Sequence, residues 1–175
     1  GEDIMVTNDH GNAINLTRFG SDVNKLILAE DADNSAITLN AGSSTIVLGN
    51  GAAGGGGTDA LSAALTFSAS GAGTDDAVTV QLGTALADAA TNGIAATGVE
   101  TLTINNTKVA QTSTTDFGAV TVTSSSGGTT TVNVTGDKAV RTGAITAQTI
   151  DASGMTGTGS LFQDVAAVGV TSITG

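Results

Sequence analysis

The sequence predicts an all-β protein: a β-solenoid, or a stack of short β-strands, with Gly/Asp-rich turns and one short helical excursion. Three observations predict it. Apolar residues alternate with polar ones in short bursts, which is the period-2 signal of half-buried strands. In the first fifty residues these bursts return about every ten residues, with Gly, Asn and Asp clusters between them. Finally, the side chains are small. Glycine accounts for 25 of 175 residues, and the only aromatics are Phe19, Phe67, Phe117 and Phe162. Any core is therefore thin. A solenoid tolerates thin cores best, because each turn buries its face against its neighbours. The glycines do not fall at every third position, which excludes a collagen helix.

The elements follow in chain order. Ile4/Val6, Ile14/Leu16, Leu26/Leu28, Ile37/Leu39 and Ile46/Leu48 each mark a strand. Residues 8–12, 20–22, 30–34 and 40–43 punctuate them with turn formers. Gly49 to Gly57 is either a linker or a turn. Leu65–Phe67 and Val78–Leu82 read as strands around a second Gly/Asp turn. Thr84 to Thr97 is alanine-rich, with Leu86, Ala90 and Ile94 at four-residue spacing, and predicts the short helix. Alternation resumes at 100–105, 120–123 and 131–135, and Ser124 to Thr130 reads as a hairpin or corner loop. Ile145 and Ala147 are out of phase with Ile150 and Ala152, and Val168 and Val170 with Ile173. Such a one-residue slip sends side chains to the opposite face and marks a corner or bulge. Threonine fills the outward positions throughout. The chain divides into 1–50 (N-terminal β repeats), 51–83 (Gly/Asp-rich) and 84–175 (solenoid-like), or forms one continuous domain over 1–175.

One stretch carries a motif. Gly54-Gly55-Gly56-Gly57-Thr58-Asp59-Ala60-Leu61-Ser62 fits the nonapeptide G-G-x-G-x-D-x-U-x, with U a large apolar residue, at every specified position. That repeat builds calcium-binding parallel β-solenoids. Glycines such as Gly55 and Gly57 let the backbone turn tightly and aim carbonyls at an ion, and Asp59 adds a hard carboxylate oxygen. A degenerate copy follows at 71–78, with Gly73, Asp75 and Asp76 in the ligand positions. The alternative at both places is a Gly/Asp-rich loop that binds nothing. Asp31 and Asp33 form a third acidic turn, but its glycine and its terminal glutamate are missing from the EF-hand pattern, so a generic calcium turn and a solvated acidic turn both stand.

Charge and composition exclude several classes. The formal net charge is −11, from 16 acidic and 5 basic residues. An acidic chain repels phosphate backbones, so nucleic acid is not an expected partner. Thirteen of the acidic residues are Asp, which favours turns. There is no cysteine, hence no disulfide and no thiol nucleophile. No apolar run is long enough for a transmembrane helix. The chain opens at Gly1 without a signal peptide and reads as a mature product or a piece of a longer protein. His10, the only histidine, sits in a turn among Asn8, Asp9 and Asn12, which argues against a catalytic triad. No enzyme activity is expected.

Several phrases resemble a known family. Gly98-Val99-Glu100-Thr101-Leu102-Thr103-Ile104 is similar to a recurring phrase of type I-secreted bacterial surface proteins, and so is Thr149-Ile150-Asp151-Ala152-Ser153-Gly154-Met155-Thr156-Gly157-Thr158-Gly159-Ser160. Thr45 to Gly51, leading into Gly54 to Leu61, resembles their RTX-type segments. Together these phrases cover about a third of the chain and resemble the RTX-related S-layer proteins of Gram-negative bacteria, or a related RTX adhesin. The resemblance implies a calcium-stabilised β-solenoid that is secreted to the cell surface and assembles with copies of itself into a lattice. It also implies that any contact with cell-surface polysaccharide belongs to another part of a longer parent chain. True RTX rolls carry many tandem nonapeptides, whereas this chain has one full copy. Isolated calcium sites are therefore expected, not a continuous calcium spine. Two alternatives stand beside the S-layer reading: an adhesive binding module, and an extracellular filament subunit that polymerises by strand addition.

Overall fold

A computed structural model describes residues 2–6, 13–28, 36–48, 64–82, 93–108, 118–163 and 168–175. The chain is all-β. Its strands are β1 (Glu2–Val6), β2 (Ile14–Asn15), β3 (Val23–Leu28), β4 (Ile37–Leu39), β5 (Ser43–Leu48), β6 (Leu65–Ala69), β7 (Ala77–Leu82) and β8 (Ile94–Thr97). They continue with β9 (Thr101–Asn105), β10 (Val120–Thr123), β11 (Thr131–Gly136), β12 (Val140–Thr142), β13 (Ile145–Thr146), β14 (Thr149–Met155), β15 (Leu161–Gln163) and β16 (Ser172–Thr174). The only helical turn among the described residues is a 3-10 segment at Leu16–Phe19, capped by Asn15, whose Oδ1 accepts from Thr17 N at 3.0 Å.

Successive strands alternate between two parallel sheets. Sheet one has eight strands in the order β1-β3-β5-β7-β9-β11-β14-β16, and sheet two has six in the order β13-β10-β8-β6-β4-β2. Beyond β13, Val168 adds an isolated parallel bridge to Thr146. A two-stranded sheet, β12-β15, branches off in the later repeats. Each repeat thus gives one strand to each main sheet, and the ladder of sheet one runs without a break from residue 2 to residue 174.

The period-2 pattern explains the packing. In sheet one, register stacks Ile4, Leu26, Ile46, Val80, Ile104 and Val134 in one inward column. A second column holds Val78, Leu102, Val132, Ile150 and Ile173. In sheet two, Ile37, Phe67, Ala96 and Val122 stack in turn, so the bulkiest side chain lies beside the smallest. These columns meet in a single core cluster. Fully burying each such aliphatic side chain contributes about 1.5–3 kcal/mol, and the stacked geometry lets every repeat share that gain with two neighbours. On the outward face, Thr45, Thr79 and Thr103 form the expected threonine ladder, which Lys25 and Asp3 extend at one end with a 2.7 Å ion pair. Ile27 and Val47 also occupy outward positions, yet both are buried apart from the core cluster.

The structure corrects and resolves several expectations. Residues 94–97, expected to end a helix, form β8; residues 84–92 of that stretch lie outside the described residues. Alanine's helical preference is worth only tenths of a kcal/mol per residue, and the ladder that sets Ile94 and Ala96 between β6 and β10 outweighs it. Residues 124–130 are a corner and not a hairpin, because they carry the chain from β10 in sheet two to β11 in sheet one. The two phase slips are also corners, at 147–148 and 169–171, where the chain crosses between sheets. The slip therefore records a change of sheet.

Candidate functional site

The polar chemistry of the described chain concentrates at one kind of place, the corner where sheet two hands over to sheet one. The residue just before each sheet-one strand occupies equivalent positions, because Ser43, Ala77, Thr101 and Thr131 are paired in register. Gly42, Asp76, Glu100 and Thr130 therefore stack, and Gln148 continues the series ahead of Thr149. Their side chains reach to backbone in adjacent repeats. Gly42 N donates to Asp76 Oδ1 at 2.5 Å. Asp76 N donates to Glu100 Oε2 at 2.9 Å, and Ser124 Oγ donates to Glu100 Oε1 at 2.5 Å. Thr130 N donates to Gln148 Oε1 at 2.7 Å. From the corner before β5, Asn40 Nδ2 donates to the carbonyls of Gly20 and Val23 in the preceding repeat, both at 2.8 Å.

Two of these groups are buried carboxylates. Asp76 is 2% exposed and Glu100 6%. Hydrogen bonds to a charged acceptor are worth about 1.5–3 kcal/mol each, and removing a buried acceptor strands its donors. The corner therefore locks neighbouring repeats together with side chains as well as ladder bonds. Asp76 Oδ2 is buried and has no hydrogen-bond partner. It packs directly beneath Gly73, where any Cβ would come within 2.4 Å of it. A side chain at position 73 would therefore require the Asp76 carboxylate to shift.

The residues singled out as metal ligands fall into two groups. Asp31, Asp33, Gly55, Gly57 and Asp59 lie outside the described residues. Gly73, Asp75 and Asp76 form the turn before β7, where Asp75 is exposed while Asp76 turns inward. Calcium takes about six to eight oxygen ligands. Asp76 Oδ1 is committed to Gly42, which leaves one uncommitted carboxylate oxygen on that residue. Among the described residues no three acidic or histidine side chains converge to hold a metal. The described corner alone does not fit a complete calcium cage.

Sequence reasoning missed the corner roles of Asn40, Glu100, Ser124 and Gln148. The available signal was position: Asp76, Glu100 and Gln148 each stand immediately before an alternating strand. Among the described residues, no helix is long and apolar enough to cross a membrane. No family model, curated protein or solved structure matches the chain.

Proposed function

We propose that the chain is a structural subunit, a parallel β-solenoid within a secreted bacterial cell-surface assembly of the S-layer type, ordered by calcium. The observation that carries this reading is the corner series. Corner side chains, Asn40 and then the stacked Asp76, Glu100 and Gln148, are engaged in joining one repeat to the next. The unbroken ladder from β1 to β16 supports reading residues 1–175 as one continuous unit. The two phrases that resemble surface-layer proteins also sit in equivalent places: β9 and β14 flank β11 on either side in the same sheet.

Calcium enters this reading at Gly54–Ser62, through backbone carbonyls near Gly55 and Gly57 and the Asp59 carboxylate. A cation bound there offsets part of the −11 net charge, and its binding energy is gained only in the ordered state, so ion binding stabilises the fold by mass action. The test is a calcium titration followed by circular dichroism and electron microscopy, reversed with EGTA. The expected result is a calcium-dependent gain in β signal and the appearance of ordered sheets, both lost in EGTA and weakened in Asp59→Ala. Assemblies that persist unchanged in EGTA remove calcium from the function.

A further inference from the structure

The corner where β5 and β7 begin holds two buried carboxylates that no described side chain neutralises. Asp76 and Glu100 are joined through the Asp76 N–H. Among the described residues no basic side chain pairs with either: the two ion pairs are Lys25 with Asp3 and Lys138 with Asp137, elsewhere in the chain. Glu100 uses both oxygens, accepting from Asp76 N and Ser124 Oγ. Asp76 uses one, Oδ1, to accept from Gly42 N, and its Oδ2 is closed to water without a partner. A second such atom belongs to the same corner. Ser44 is 4% exposed, and its Oγ is likewise closed to water and without a hydrogen bond. Register puts Ser44 beside Val78, two residues past the Gly42 that Asp76 binds and on the same inward face. Each of these atoms is unfavourable alone, because burial removes its bonds to water and replaces them with nothing. Buried charge is ordinarily paired with an opposite charge or with a metal ion.

We propose that a dehydrated alkali-metal cation binds between the repeats of β5 and β7, with Asp76 Oδ2 as its anionic ligand and Ser44 Oγ as a neutral one. Both ligand atoms are hard oxygens, which disfavours metals that seek sulfur or nitrogen. Calcium takes about six to eight oxygens, whereas Asp76 has one left to give. Magnesium keeps several waters, and neither oxygen is open to water. A single positive charge matches the single uncommitted carboxylate oxygen. An alkali cation also sheds its water more readily than either divalent ion, so a closed site suits it best. Asp75 is exposed, so the negative charge of the site comes from Asp76. Glycine at 73 keeps the place beside Oδ2 clear of side chain, since a Cβ there would stand against that oxygen. The ion braces the β5 and β7 repeats in the way that Glu100 braces the repeats on either side of it. The site goes beyond the calcium reading, because it uses no residue of Gly54–Ser62.

The experiment is urea unfolding at constant calcium and constant ionic strength, in the chloride salts of sodium, potassium and tetramethylammonium. The last cation is too bulky to reach a buried oxygen. Wild type is expected to unfold at a higher urea midpoint in sodium or potassium than in tetramethylammonium. Its unfolding constant should fall by up to about tenfold for each tenfold rise in the bound cation. Asp76→Asn is expected to lose that difference. Ser44→Ala removes only a hydroxyl, so it keeps the test decisive even where Asp76→Asn does not fold. It should lose most of the difference and be at least as stable as wild type in tetramethylammonium, because an unpartnered buried hydroxyl is gone. Asp59→Ala should keep the difference. The inference is overturned if wild type has the same midpoint in all three salts, if Ser44→Ala responds as wild type does, or if Asp59→Ala abolishes the response. The two readings fail separately. A fold indifferent to calcium that still responds to sodium through Ser44 removes calcium and keeps this site. Calcium-dependent sheets with no alkali response keep calcium and remove this site.

Discussion

One inward column of sheet one changes character halfway along the molecule. It starts at Val6 and runs through Leu28, Leu48 and Leu82, the last three buried in the aliphatic core. In the later repeats the same position, one residue past the pairing of Gln81, Asn105 and Thr135, holds Asn106 and then Gly136. The leucines are held by volume. Asn106 is held by geometry: its Nδ2 donates to Ala139 O at 2.8 Å, its Oδ1 accepts from Lys108 N at 3.2 Å, and its carbonyl accepts from Lys138 N at 3.2 Å. Gly136, at φ 111°, lies so close that a Cβ there would sit 2.0 Å from Asn106 O. Just past this pair the chain leaves sheet one and forms β12, the start of the branching sheet.

Substitutions within this column sharpen the contrast. Gly136→Ala should have the largest effect. It combines left-handed strain with a clash against backbone that cannot move aside, on the order of 4 kcal/mol in total. Urea unfolding should show a fall in midpoint large enough to leave much of the chain unfolded without denaturant. Leu48→Ala should cost about 3 kcal/mol, the usual price of a buried leucine truncation, with the fold retained. A loss at Gly136 smaller than that at Leu48 would show that backbone contact is not what fixes the later repeats. Asn106→Leu places the early repeats' residue in the later ones. It should cost about 2 kcal/mol, because the added apolar volume only partly offsets the stranded Lys108 N–H and Ala139 carbonyl. If that variant is as stable as the parent, and amide exchange at Lys108 is unchanged, the hydrogen-bond account of the column is wrong.

Much of the fold was legible in the residues. The alternation at Leu26/Leu28, Ile46/Leu48, Val78–Leu82 and Thr101–Asn105 named the inward side chains, because a strand's two faces are separated at every second residue. The slips at Ala147–Ile150 and Val170–Ile173 marked corners for the same local reason. The candidate site was less legible. The turn holding Gly73, Asp75 and Asp76 was visible as a Gly/Asp cluster, but nothing nearby in sequence separates the exposed Asp75 from the buried Asp76. Glu100 looked like the first residue of a strand. Its role depends on Asp76, 24 residues earlier, and on Ser124, 24 residues later. Ile94 and Ala96 were read as helix because their neighbours are alanine, and only the strands on either side make them a strand.

The sequence by itself determined that the chain is β, where most strands lie, which side chains face inward and where several corners fall. All of these follow from spacings within a few residues. The tertiary structure decided that the strands run parallel, which sheet each joins, and what the corner carboxylates hold. Those choices are fixed by contacts such as Gly42 with Asp76, 34 residues apart. The unequal repeats bring such partners into register only once the strands have stacked.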